Sequence, residues 1–287
     1  SDGLVILWNS VSGREMHRLP AGRELTSVAV TRRGDKLIMC YYAGTCFVRS
    51  SSMEAVIKVI NSDIRWRQQV AVLASDSRLV MWDVQGPATV RDIESGKEIC
   101  SLSGGSWTRN IMQPFPDDDR VAAKNDDSVA AIWDVAACKR LFVFHHKLPV
   151  NRIALFAGGD LMVTLLHAGE MFVWRTATGA AMSLRPSTAH GFVYNFVTFP
   201  QADLLATVSE SGVALLDPES LEPRRFFGGK VVEVAGTSKG GGVLAMCFRG
   251  KATVWSLASG TVLHELFGIS EPRKRPPLTP SCVIAAG

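Results

Sequence analysis

Several sequence signals are missing from the chain, and each absence argues against a class of protein or site. No Asn-x-Ser/Thr glycosylation sequon occurs, and no apolar run approaches the roughly 18 residues that a membrane span needs. Neither a CxxC pair nor a nearby histidine accompanies any cysteine. Six cysteines occur singly within apolar runs, namely Cys40, Cys46, Cys100, Cys138, Cys247 and Cys282. This pattern predicts buried free thiols rather than metal ligands or disulfides, and a reducing compartment, the cytoplasm or the nucleus.

Catalytic signatures are missing as well. The chain contains no GxSxG, HExxH or Walker-type GxxxxGK[ST] sequence, and no GxGxxG between a strand and a helix. Asp117-Asp118-Asp119 follows Pro116 and is predicted to be a solvated turn rather than a metal cluster. His145 and His146 would point in opposite directions on an extended chain, which makes a metal pair geometrically poor. We therefore expect no enzyme activity, no cofactor and no metal site.

Composition is that of an ordinary soluble globular protein. The 287 residues are 47% hydrophobic and 20% charged, with a net charge of +4. This basic excess is too small to indicate nucleic-acid binding by itself. The chain begins at Ser1, and we expect it to be part of a longer protein.

A repeat of about 42 residues runs through the whole chain. Short apolar segments such as Val129-Ala130-Ala131-Ile132-Trp133-Asp134 recur, and their equivalent positions are Trp8, Arg49, Arg91, Trp133, Trp174, Leu216 and Trp255. Successive positions differ by 41, 42, 42, 41, 42 and 39 residues. Further apolar strands precede each segment, so that every unit has four short strands, as in the blade of a β-propeller. Trp82-Asp83 lies outside this grid and is predicted to lie on the second strand of its repeat.

These segments resemble the WD40-repeat family over essentially the whole chain. Trp8-Asn9 and Trp133-Asp134 match the Trp-Asp ending of that family, whereas Arg49 and Arg91 replace its tryptophan. The Gly-His pair of the family is absent throughout. The polar network that the resemblance implies must therefore be mostly missing, so that packing has to hold the blades together. Degenerate rings of this kind also resemble the WD regions of large intracellular NACHT–WD receptors.

The resemblance implies an all-β fold, a seven-bladed β-propeller with four-stranded antiparallel blades in a single domain, 1–287. One blade is shared by 1–19 and 278–287, because the segment from Ser281 to Gly287 followed by that from Ser1 to Trp8 reads as a hairpin. Pairing of the N- and C-terminal strands would close the ring. The full blades are predicted at about 25–60, 68–102, 108–144, 150–184, 192–227 and 231–267. A ring closed by this chain alone and a slice of a longer array both remain open, and the basic segment 271–277 is predicted to be a solvated linker.

In such propellers, the loops between blades and the turns between second and third strands share one face. We call these connections the top loops and the others the bottom turns. Basic residues assigned to the top loops are Arg23, Arg65, Arg67, Arg109, Lys124, Lys147, Arg185, Lys230, Arg249 and Lys251. Acidic residues assigned to the bottom turns are Asp35, Asp76, Asp117, Asp118, Asp119, Asp160, Asp203, Glu219 and Glu222.

Two tryptophans accompany arginines in the top loops. Trp66 lies between Arg65 and Arg67, and Trp107 precedes Arg109 by two residues. Tryptophan and arginine are enriched at binding hot spots, although these tryptophans could equally cap the core. The predicted partner-binding set is Arg65, Trp66, Arg67, Trp107, Arg109, Lys147, His190, Arg249 and Lys251.

The sequence thus favours a non-catalytic scaffold or sensor that binds an acidic or phosphorylated protein segment, without membrane insertion. Nucleic-acid binding through the same face is the alternative, and it would need aromatic residues interleaved with the arginines along a groove. Lipid binding at Arg224-Arg225-Phe226-Phe227-Gly228 is a weaker hypothesis, because this segment is predicted to be a fourth strand with exposed basic positions.

Overall fold

The structure of the chain is a computed structural model. It describes residues 4–8, 14–20, 22, 24–42, 44–50, 52, 55–62, 68–82, 87–102, 112–185, 191–199, 204–228, 233–237, 243–248, 251–257 and 259–267. Two compact units are present: unit 1 comprises Ser1–Asn9, Arg14–Thr164 and Arg175–Ala180, and unit 2 comprises Ser10–Gly13, Leu165–Trp174 and Ala181–Gly287.

The described residues form an all-β structure, as the sequence predicts. Sheet I has two strands, β1 (Leu4–Trp8) and β2 (Glu15–Pro20). Sheet II comprises β3 (Leu25–Val30), β4 (Lys36–Tyr41), β5 (Thr45–Ser50) and β6 (Val56–Asn61). Sheet III comprises β7 (Gln69–Val72), β8 (Arg78–Trp82), β9 (Ala88–Asp92) and β10 (Glu98–Leu102). Sheet IV comprises β11 (Met112–Pro114), β12 (Arg120–Asp126), β13 (Val129–Asp134) and β14 (Lys139–His145).

Three further four-stranded sheets follow along the chain. Sheet V comprises β15 (Val150–Phe156), β16 (Leu161–Leu166), β17 (Met171–Arg175) and β18 (Ala181–Arg185), with a short 3-10 turn at Ala157–Gly159. Sheet VI comprises β19 (Val193–Phe199), β20 (Leu204–Ser209), β21 (Gly212–Leu216) and β22 (Pro223–Gly228). Sheet VII comprises β23 (Glu233–Thr237), β24 (Val243–Phe248), β25 (Lys251–Ser256) and β26 (Val262–Phe267). Strands lie in chain order within each sheet.

Within each unit, the sheets pack apolar faces against one another. In unit 1, Ile38 of sheet II shares a buried cluster with Leu79 of sheet III. Val90 of sheet III shares another buried cluster with Trp133 of sheet IV. In unit 2, Phe227 of sheet VI packs edge-on against Trp255 of sheet VII. First strands of successive sheets also lie next to each other, as β3 does with β7 and β19 does with β23.

The repeat positions mark a recurring irregularity in the sheets. In each of the six four-stranded sheets, the register between the third and fourth strands shifts immediately before this position, for example between Ile132 and Trp133. The two strands of sheet I show the same shift before Trp8. A shift of this kind is a β-bulge, in which the fourth strand has one extra residue. The extra residue is often an exposed apolar side chain, as are Met16, Ile57, Ile99, Leu141 and Leu263.

Two of the tryptophans at these positions make no hydrogen bond through the indole. Among the described residues, the indole Nε1 atoms of buried Trp133 and half-buried Trp255 have no hydrogen-bond partner. The loss of the polar network that the family has stays a prediction. Arg91 stands where other repeats have tryptophan, and it makes hydrogen bonds across the turn that follows it. Its guanidinium donates to Gly96 O at 3.2 Å and to the Glu98 carboxylate at 3.0 Å.

The residue after the repeat position closes the bottom turn that follows it. Asp92 Oδ1 accepts from Ser95 N, Asp134 Oδ1 from Ala137 N, and Asp217 Oδ1 from Ser220 N, each at 2.7–2.9 Å. The hydrogen bond from Ser220 N and the Arg224 guanidinium lower the pKa of Asp217 to about 2. Aspartate is therefore selected at this position by turn closure, a role that Asx turns commonly fill.

The residue five places after the repeat position, still within these turns, has a left-handed backbone conformation. Positive φ angles occur there at Gly96, Gly179 and Gly260, and also at Cys138 (53°) and Leu221 (60°). At Gly179, an added Cβ would lie 2.6 Å from Phe142 Cδ1 on the fourth strand of the preceding sheet. Glycine is needed there for both reasons, backbone conformation and space.

Two of the sequence predictions are wrong. Cys40 is bonded to Cys46 and Cys100 to Cys138, so these four cysteines are not free thiols. Arg225 is not an exposed basic position: it is half-buried and donates to Leu257 O at 2.9 Å. Trp82 does lie on the second strand of sheet III, and residues 223–228 do form a fourth strand, as predicted.

Substitution of Gly179 tests the packing of these turns. Gly179→Ala should lower the free energy of unfolding by about 1–2 kcal/mol for the positive φ and by about 1–3 kcal/mol more for the displaced Phe142 ring. Gly34→Ala is the matched control, because Gly34 has the same sign of φ (71°) and no atom within 4 Å of an added Cβ. Urea unfolding of both variants measures the difference, and equal losses would contradict the packing account.

Candidate functional site

Most of the predicted partner-binding residues lie outside the described residues. This applies to Arg65, Trp66, Arg67, Trp107, Arg109, His190 and Arg249. Lys147 is exposed in the connection between β14 and β15, and Lys251 is the first residue of β25. The structure therefore places one predicted side chain, Lys147, in a top loop.

Top loops of both kinds lie at the same end of their sheets. In sheet IV, His146 N and Val150 N donate to Ser128 O (2.9 Å) and Asp127 O (2.6 Å), which joins the connection after β14 to the turn after β12. In sheet II, Ser62 N donates to Gly44 O at 2.9 Å. The loops between sheets are thus tied to the second-to-third-strand turns beside them.

Residues on either side of 63–67 form a hydrogen-bonded frame. Gln68 is fully buried, and its Nε2 donates to Ser62 Oγ at 2.9 Å, while Ser62 Oγ donates to Gly44 O at 3.1 Å. Thr26 Oγ1 contacts both Gln68 O (2.8 Å) and Cys40 O (3.0 Å). Ser62 and Gln68, which come directly before and after 63–67 in the sequence, are therefore joined by a buried polar cluster.

A buried disulfide lies directly beneath this frame. Cys40 and Cys46 are opposite each other on β4 and β5, and both side chains are fully buried. They flank the turn that carries Gly44, the acceptor for Ser62. Sulfur Sγ of Cys46 lies 3.4 Å from Gln68 Oε1. Both the turn and Gln68 are thus packed against a covalently closed strand pair.

The charge of the top loops is smaller than their residue types suggest. Lys124, assigned to this face from the sequence, has a side chain only 7% exposed, and its Nζ is paired with Asp127 at 2.9 Å. Burial lowers the pKa of His146, the neighbour of Lys147, to about 4, with a smaller contribution from the charge of His145. His146 is therefore neutral near pH 7, and Lys147 and the arginines must supply the positive charge.

Carboxylates link neighbouring bottom turns of unit 1. Asp76 accepts from the backbone N atoms of Arg32 (2.6 Å) and Arg33 (2.9 Å) in the preceding sheet. Asp119 accepts from Ser75 N and from the Arg78 guanidinium, both at 3.1 Å. Each carboxylate thereby joins its own first turn to that of the sheet before it.

The aspartates at 117–119 are consequently more than a solvated turn. Asp118 bonds Arg120, and Asp117 lies 3.5 Å from the guanidinium of Arg32, which also donates to Pro116 O. This role was not predicted from the sequence. In the part of the chain that the structure describes, no group of three His, Cys, Asp or Glu residues could hold a metal ion.

Comparison with known proteins gives no family assignment. No protein-family model matches the chain, and no curated protein matches it. Within the described residues, no helix is long and apolar enough to cross a membrane.

Removal of the Asp119 carboxylate should break the link between sheets III and IV. Asp119→Ala leaves Ser75 N and Arg78 without their acceptor, so we expect a loss of about 1–3 kcal/mol in the free energy of unfolding. Asp117→Ala is the control, because its pair with Arg32 is exposed and should contribute about 0–1 kcal/mol. Chemical denaturation compares the two variants, and a loss at Asp117 as large as at Asp119 would refute the assignment.

Proposed function

We propose that the chain is a WD40-type propeller that serves as a protein-interaction module without catalytic activity. The observation that carries this proposal is the hydrogen-bonded frame of Ser62, Gln68, Thr26 and Gly44, in which Ser62 and Gln68 come directly before and after the sequence 63–67 with its Arg-Trp-Arg run. Binding residues often lie in loops that a well-packed scaffold positions. The partner would be an acidic or phosphorylated protein segment, and Trp107, Arg109, Lys147, His190, Arg249 and Lys251 stay predicted contacts.

The full proposal is a single domain of seven blades closed by the chain ends. Support comes from β3, whose Val28 and Val30 are 40% and 43% exposed on the side where β1 and β2 pack. Val70 of sheet III is the equivalent of Val28, and it is only 7% exposed because sheet II covers it. A strand formed by 281–287 beside β1 would cover the valines and would complete the first blade.

Charged substitutions in the closing strand test this arrangement. Val283→Asp combined with Ile284→Asp should prevent pairing, lower the melting temperature and speed amide exchange at Leu4–Trp8, since a charge cannot replace a buried apolar group. Lys274→Ala combined with Arg275→Ala is the control in the adjoining linker and should have no effect. Unchanged exchange at β1 in the doubly charged variant would argue against closure by this strand.

Charge reversal tests the binding surface. In Arg65→Glu/Arg67→Glu/Arg109→Glu, affinity for fluorescein-labelled phosphorylated acidic peptides should fall at least tenfold, and the wild-type affinity should decline steeply with salt. The matched control is Arg33→Glu/Lys97→Glu/Lys139→Glu, which makes the same charge change in the bottom turns. Fluorescence anisotropy measures both.

The same titration distinguishes the competing outcomes. Equal affinity of the two triple variants would contradict a top-loop site. A labelled single-stranded oligonucleotide that binds more tightly than every peptide would replace the protein partner with nucleic acid.

We propose the cytoplasm or the nucleus as the location. Glutathione and thioredoxin keep most thiols reduced in these compartments. The partly exposed Cys100–Cys138 pair would therefore spend much of its time as a dithiol there, and its bonded state would respond to oxidising conditions.

A further inference from the structure

The bottom turns make a recurring contact with the preceding sheet. The turns concerned connect the third and fourth strands of their sheets. In three of them, the fifth residue has a left-handed backbone and lies against the fourth strand of the preceding sheet. An added Cβ would lie 3.1 Å or less from the nearest side-chain atom there. The pairs are Gly96 with Lys58, Gly179 with Phe142, and Gly260 with Arg225.

Between sheets III and IV, the same contact is covalent. Cys138 occupies the fifth position of the turn after β13, with φ of 53°, and it is bonded to Cys100 on β10. Cysteine rarely adopts this backbone conformation, which the other turns give to glycine in three cases. The side chain at 138 is therefore better accounted for by the bond to Cys100 than by the turn.

Exposure separates this disulfide from the other one. Cys100 and Cys138 are both partly exposed, and Cys138 lies in a surface turn beside exposed Ala136 and Ala137. Cys40 and Cys46 are fully buried within sheet II. A soluble thiol can reach the first pair without unfolding the protein, whereas it cannot reach the second.

We propose that Cys100 and Cys138 form a reversible redox lock between sheets III and IV. In the closing reaction, the Cys100 and Cys138 thiols exchange with a small-molecule disulfide such as oxidised glutathione. One sulfur–sulfur bond forms in the protein, one breaks in the oxidant, and two glutathione thiols leave with the two protons. The opening reaction is the reverse. In the open form, no covalent bond joins the turn to β10.

Redox titration of the full chain tests the lock. After equilibration in glutathione buffers of increasing reducing strength, free thiols are alkylated and assigned by peptide mass spectrometry, and the melting temperature is measured. Cys100 and Cys138 should become reactive together, before Cys40 and Cys46. The melting temperature should fall by about 5–10 °C over the same range, because the bond closes a long loop.

Cys138→Gly is the decisive variant, because glycine suits the backbone at this position and the variant should fold. It should melt near the temperature of the reduced wild type and should not respond to glutathione. Cys40→Ala/Cys46→Ala should retain the wild-type response. The proposal is overturned if Cys100 and Cys138 stay reactive in fully oxidising buffer, if they open only with Cys40 and Cys46, or if Cys138→Gly still responds.

Discussion

Sheets II and III each have two apolar faces, and each face has to be buried against a neighbouring sheet. The second strands show this requirement most clearly: Leu161–Leu166 is buried along its whole length, because both of its sides are covered. A four-stranded sheet of this kind has no stable existence alone. The 42-residue period, the adjacent first strands and the shared clusters of sheets II, III and IV all follow from this constraint.

Polar groups have a secondary but specific part in this arrangement. They do not bridge the tryptophans, whose Nε1 atoms at 133 and 255 lack partners among the described residues. They work instead at the ends of the strands, where Asp92, Asp134 and Asp217 close turns and Asp76 and Asp119 join neighbouring sheets. The strand faces are thus left to packing, and the loops are free to differ in sequence. This division suits a module whose binding residues lie in its loops.

The sequence predicted the features that depend on local periodicity. Strand positions, the four-stranded units and the placing of Trp82 in a second strand all follow from apolar alternation at a constant period. It did not predict contacts between residues that come from different repeats. The Cys100–Cys138 bond and the Asp119–Ser75 hydrogen bond each join two sheets. No local sequence pattern indicates which residues of neighbouring sheets will be in contact. The burial of Lys124 was missed for a related reason, since its basic character suggested a solvated loop although its strand position is interior.

In the proposed ring closure, a strand formed by 281–287 pairs with β1 and covers the exposed side of β3. The distance between this strand and β1 tests the pairing directly. Spin labels attached through an unnatural amino acid at Asn9 and Ser281 can report that distance in the folded chain by pulsed electron resonance. Strands that pair are about 5 Å apart, so closure by 281–287 predicts a narrow distribution below about 20 Å once the label arms are included. A broad distribution centred well beyond that value would show that another segment, or none, covers Val28 and Val30.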